Sequence, residues 1–196
     1  MMTPAKMNEI LSRLTHDAVE QALLDWEVQI GFVSKITEVR AHMLRGPEEL
    51  SDTWNSEHYL RMTTQVEYAA AGTVQFFFST ESAWPLVRDA LCLPPAEDRG
   101  VGDELGESEI EAFQEMMNMF CGSANAIYDR FGLRLSQSVE HLKVEQGEPG
   151  LPQDLHGFAI SMQYEIEGQE PREIVQVMPF PLAWSVAKAI RSGAAA

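Results

Sequence analysis

One stretch limits the fold more than any other. In residues 108–131 apolar side chains recur at Ile110, Phe113, Met117, Phe120, Cys121, Ala124, Tyr128 and Phe131. At 100° per residue these positions fall in one broad arc, the pattern of an amphipathic helix with one face on a core. Gly132 follows, the residue type that ends helices in the left-handed region. Such a helix is roughly 35 Å long and needs an apolar surface of matching length to cover it.

The rest of the chain supplies that surface. Residues 7–26 repeat the helical pattern through Met7, Ile10, Leu11, Leu14, Ala18, Val19, Ala22, Leu23 and Trp26, with Thr3 and Pro4 as cap and first helical residue. Strand-like stretches rich in Val, Ile, Thr and Phe cover 29–40, 58–68 and 73–78, the last two joined near Ala71 and Gly72. The run Phe76-Phe77-Phe78 predicts a strand covered on both faces. Ser79 and Thr80 are candidate caps for a short helix over 81–91, which Pro94-Pro95 ends. A strand over 133–144 and a hairpin of 156–167 with 172–178 follow, then a last helix over 182–191 behind Pro179 and Pro181. Residues 46–55, 97–107 and 147–152 read as loops. The expected fold class is α/β of the α+β kind: one domain over residues 1–192, an antiparallel-rich sheet packed against two long helices. Residues 193–196 are expected to be a disordered tail.

Charge narrows the partners. The 196 residues carry Lys+Arg 14 against Asp+Glu 30, a formal net charge of −16. That balance argues against nucleic acid, which selects a basic face, and against an anionic membrane surface. No run of about 18 apolar residues is present, so a soluble, cytoplasmic protein is expected. Cys92 and Cys121 sit among apolar neighbours without C-x-x-C spacing and read as buried free thiols. His16, His42, His58, His141 and His156 are scattered without metal-ligand spacing, and neither a Gly-rich phosphate loop nor a G-x-S-x-G elbow is found. Acidic residues around Asp103 and Glu104 read as a solvated connection.

The long helix carries the one constellation with chemical content. Glu111, Glu115, Asn118 and Gly122 stand at offsets 0, 4, 7 and 11, within about 60° of one another and opposite the apolar arc. Singly, Glu115 is a surface charge and Asn118 a surface amide. Ser108 with Glu111 fits an S-x-x-E capping box, which makes a cap the alternative task for Glu111. Together they form a polar stripe in which glycine, costly inside a helix, removes bulk beside the amide. Met116 and Met119 are expected to flank the stripe with pliable apolar contact area.

The segment E-A-F-Q-E-M-M-N-M-F-C-G, residues 111–122, resembles the signature helix of the CheC/CheX/FliY chemotaxis phosphatases. Glu115, Asn118 and Gly122 match the family's Glu, Asn and Gly. The strand, short helix and acidic loop before it, and the strand after it, match in layout. Glu111 stands where the family has Asp or Ser, and the strand after the helix lacks the family's proline, since Val139 is followed by Glu140 and His141.

The resemblance implies a phosphatase acting on the aspartyl phosphate of a CheY-like response-regulator receiver domain. Glu115 and Asn118 would be its catalytic residues, and Glu111, Met116, Met119 and Gly122 would contact the partner. It implies no cofactor or metal in this chain, the divalent cation being held by the receiver. In the first long helix Glu20 is followed by Leu23 where the family motif needs Asn. One active helix per chain resembles the CheX-like branch, whose members pair as homodimers. Two other readings stand beside this one. One is a non-catalytic relative that binds receivers or flagellar-switch-like partners. The other is a small-ligand sensor, which would need a pocket near Trp54, Trp84 or Trp184.

Overall fold

The computed structural model describes residues 2–31, 33–46, 48–51, 58–91, 106–136, 141–146, 151, 155–166 and 171–193. Helix α1, Pro4–Ile30, opens at Thr3, whose hydroxyl accepts a hydrogen bond from the Lys6 amide at 3.3 Å. It closes at Gly31, held at φ 71°. The helix is longer at both ends than residues 7–26, and the strand expected from residue 29 begins only at Ser34. Gly31 is the first residue able to take the left-handed conformation without strain, so β-rich composition from Gln29 onward did not mark the stop.

Among the described residues seven strands follow: β1 Ser34–Leu44, β2 His58–Tyr68, β3 Gly72–Ser79, β4 Leu133–Leu135, β5 His141–Gln146, β6 Gly157–Ile166 and β7 Arg172–Pro179. They form one antiparallel sheet in the order β1-β6-β7-β3-β2-β4, and β5 also pairs with β2. The single strand expected over 133–144 is thus two pieces along β2. The departure from the family's proline lies at residues 139–140, outside the described residues. Part of the expected 46–55 loop is a short helix, α2, Glu48–Ser51. Helices α3 Thr80–Ala90, α4 Glu107–Tyr128 and α5 Phe180–Ser192 complete the order. Ser79 rather than Thr80 caps α3, its hydroxyl accepting from the Ser82 amide at 3.0 Å.

The phenylalanine run does what its pattern predicts. Phe76 and Phe78 point into the core shared with the helices, while Phe77 joins a second cluster on the opposite face with Tyr59, Leu44, Leu50 and Val175. Phe78 meets Phe113 of α4 edge-on at 5.0 Å, and Phe76 meets Phe120 at 5.7 Å. Trp26 of α1 contacts the same Phe120 at 6.1 Å. These rings fix the rotation of α4 about its axis, because each is too large to be shared with solvent. Among the described residues no helix is long and apolar enough to cross a membrane.

Candidate functional site on helix α4

The N-terminus of α4 is built by Gly106 and Glu109. The Gly106 amide donates to the Glu109 carboxylate at 2.6 Å, and Glu109 is buried. This corrects the capping box expected from Ser108 and Glu111. The cap sits two residues earlier, at Gly106, so the carboxylate three residues beyond it is that of Glu109. Glu111 is exposed and has no capping task.

Beyond the first turn the polar stripe forms as its spacing predicts. Glu111 and Glu115 are exposed, and Asn118 and Gly122 are half-buried between them and the shoulder of the helix. Neither carboxylate forms an ion pair with another described residue. Helix α4 carries no Lys, Arg or His, so the stripe presents negative charge beside a neutral amide.

The two methionines divide. Met116 is 3% exposed and belongs to the core, so its expected place on the contact face is corrected; Met119 is half-buried against that core. The buried arc of α4 is wider than the apolar count implied, because α1 and α3 both pack on this helix.

Asn125 is a residue that the sequence pattern did not single out. It lies almost in line with Asn118 around the helix, yet it is buried. Its side-chain amide donates to the Leu135 carbonyl at 2.9 Å and its oxygen accepts from the Leu135 amide at 2.7 Å. Asn125 therefore acts as a surrogate strand for β4 and ties the C-terminal half of α4 to the sheet. Gly132, at φ 64°, makes the tight turn that brings β4 back beneath the helix. The only sequence signal was an Asn followed, seven residues later, by a helix-ending Gly.

Under α4 the polar groups are mostly satisfied within the core. Thr15 of α1 donates to Gln176 of β7 at 3.0 Å. Burial pushes the Tyr128 hydroxyl up to about 12, opposed by the Gln176 amide beside it. Burial likewise pushes the Cys121 thiol up to about 11, against a hydrogen bond with Thr64. Cys121 is buried and free, as expected, and Cys92 lies outside the described residues. A cavity of about 10 Å³ lies among these groups, the space of one water molecule. Trp84 packs on the core, Trp184 is on the surface, and Trp54 lies outside the described residues. Among the described residues no three His, Cys, Asp or Glu side chains are placed to hold a metal.

No protein-family model matches the sequence, and no curated protein matches it. Solved structures do. Thermotoga maritima FliY superposes with a TM-score of 0.76 at 15% identity, covering 98% of this chain and 100% of that one. FliM from the H. pylori FliM–SpeE complex gives 0.76 at 8% identity over 97% of both chains. A chemotaxis protein CheX from Desulfovibrio desulfuricans gives 0.54 at 12% identity, over 85% of this chain and 99% of that one. The chain has the CheC/CheX/FliY-type fold, shared with the FliM middle domain.

Proposed function

We propose that this chain is a phosphatase for the aspartyl phosphate of a CheY-like receiver domain. The observation that carries the reading is the stripe itself: exposed Glu115 and half-buried Asn118 and Gly122 share one face of α4, with Glu111 released from capping. The fold shared with FliY and CheX supports it.

An acyl phosphate is already reactive, so catalysis needs positioning more than activation. A carboxamide suits that task, since it donates to one partner and accepts from water while remaining neutral. Asn118 orients the attacking water in line with the phosphorus. Glu115 pairs with a lysine beside the phosphorylated aspartate and sets the register of the helix on the receiver. The divalent cation stays with the receiver, and the acidic stripe favours approach to a site holding both lysine and metal. Gly122 leaves room for the receiver's backbone one turn past the amide.

A second reading is a binding module without catalysis, docking a receiver or a flagellar-switch-like partner. What favours it is that FliM superposes over more of the chain than CheX does, together with Glu111 at the family's Asp or Ser position. Loss of phosphate from a phosphorylated receiver separates the two. Acceleration by the wild type that Asn118→Ala abolishes supports the phosphatase. Binding without acceleration, across the receivers of the same genome, supports the module. Acceleration that survives Asn118→Ala overturns the mechanism.

A further inference from the structure

Gln176 is the polar residue in an otherwise apolar run of β7, Ile174–Met178, and it is 1% exposed. It sits in mid-sheet, opposite Phe76 of β3 on one side and Ile160 of β6 on the other. A carboxamide taken out of water costs free energy unless both of its ends find partners. One end is met: the Thr15 hydroxyl of α1 donates to Oε1 at 3.0 Å. The other is not. Nε2 is buried and has no hydrogen-bond partner among the described residues. Exchanging the two ends of the amide changes nothing, because a hydroxyl satisfies whichever end faces it and the far end is still unmet.

The unmet end has a polar neighbour just out of reach. The Tyr128 hydroxyl of α4 lies close enough for the Gln176 amide to oppose the rise that burial imposes on it, yet Nε2 makes no hydrogen bond to it. The cavity of about 10 Å³ lies here, among α1, α4 and the sheet. Its polar lining is Thr15, Tyr128 and Gln176, and its remaining walls are apolar. That volume is the room one water molecule needs. No charged side chain lines it, so neither a metal ion nor an anion finds a counter-charge there. An apolar occupant would leave the amide unmet. A polar contact stretched past direct reach, beside a water-sized space that both groups line, is the geometry of a bridging water.

We infer that this cavity is a binding site for a single buried water molecule, which accepts from the Gln176 amide and bridges it to the hydroxyls of Tyr128 and Thr15. Three polar partners are the usual number for an internal water. Each comes from a different element: Thr15 from α1, Tyr128 from the last turn of α4 and Gln176 from β7. The water therefore braces the C-terminal end of α4 against both α1 and the sheet. It works beside the Asn125 contact to β4, which ties the same half of the helix to the sheet edge. The two braces fix the buried side of α4, and neither depends on what docks on its exposed face.

Magnetic relaxation dispersion of the water oxygen tests the site on the full chain, since it counts long-lived internal waters and ignores exchanging hydroxyl protons. The wild type is expected to hold about one more such water than either of two variants. Gln176→Leu removes the amide. Ala18→Val fills the space from the α1 wall of the cavity and leaves the amide in place. Helical circular dichroism checks that each variant is folded. Equal dispersion in the wild type and a folded variant would overturn the proposal. A crystal structure of the wild type supplies a test that needs no variant. Density for a water within hydrogen-bond reach of both Gln176 and Tyr128 is the expected result. A Gln176 amide that meets Tyr128 directly, or a cavity that is dry, would overturn it.

Discussion

The two long helices begin alike and end with different tasks. Both α1 and α4 are amphipathic, and they pack on each other with Trp26 against Phe120. Each carries an exposed glutamate followed three residues later by a position at the edge of the buried arc. In α1 the pair is Glu20 and Leu23, and Leu23 is 5% exposed. In α4 it is Glu115 and Asn118, and Asn118 is half-buried. An edge position can extend the core or hold a polar group against it. Helix α1 uses it for burial, and α4 leaves it to an amide. One helix per chain therefore keeps a Glu-x-x-Asn pair at its edge, although the two lie side by side.

The largest expected effect falls on that amide. Asn118→Ala should lower receiver dephosphorylation by about 10²–10³-fold with helical circular dichroism retained. An unaltered phosphate-release rate would remove the distinction between the helices. Leu23→Asn writes the Glu-x-x-Asn spacing into α1. Urea unfolding should show a loss of about 3 kcal/mol, since an amide replaces buried hydrocarbon, with no gain in phosphate release. A stable variant with doubled activity would mean that α1 is a latent second site.

Within α4 the comparison is between the stripe and its buried continuation. Asn125→Ala leaves both backbone groups of Leu135 without their side-chain partner and should cost about 2 kcal/mol in the same unfolding assay. Glu115→Gln should leave stability unchanged and weaken receiver docking about tenfold, read as a raised KM with kcat spared. A fall in kcat alone would move Glu115 from docking into the chemical step.

The smallest effect belongs to the far face of the sheet. Burial raises the Glu173 carboxyl above its ordinary range, against the opposing pull of Arg40. The folded chain thus holds that proton more tightly than the unfolded chain, and stability falls as pH climbs from the ordinary carboxylate range through the raised value. Glu173→Gln should match the wild-type Tm at low pH and slightly exceed it at pH 7. A variant less stable at pH 7 would show that the Arg40 attraction outweighs burial.

Much of the site was legible before any fold was known. The long helix, its polar stripe and the doubly covered Phe76–Phe78 run follow from side-chain period alone, because periodicity reports which residues share a face. Period does not report how wide the covered arc is. Met116 was misplaced for that reason, and Asn125 was not singled out: α1 and α3 pack on the helix, and β4 folds beneath its end. The cap was misassigned because Ser108-x-x-Glu111 and Gly106-x-x-Glu109 both spell a plausible start. Only the backbone turn at Gly106 chooses between them.

The order of residues by itself determined the acidic balance, the alternation of strands between helices, and the spacing that puts Glu111, Glu115, Asn118 and Gly122 on one line. These are local properties, set by 1.5 Å and 100° per residue. Tertiary structure decided which of those lines stays uncovered. Burial is a property of what packs opposite, and the neighbours of α4 come from segments more than a hundred residues away as well as from the next strand. The same packing sets α1 against both α4 and α5.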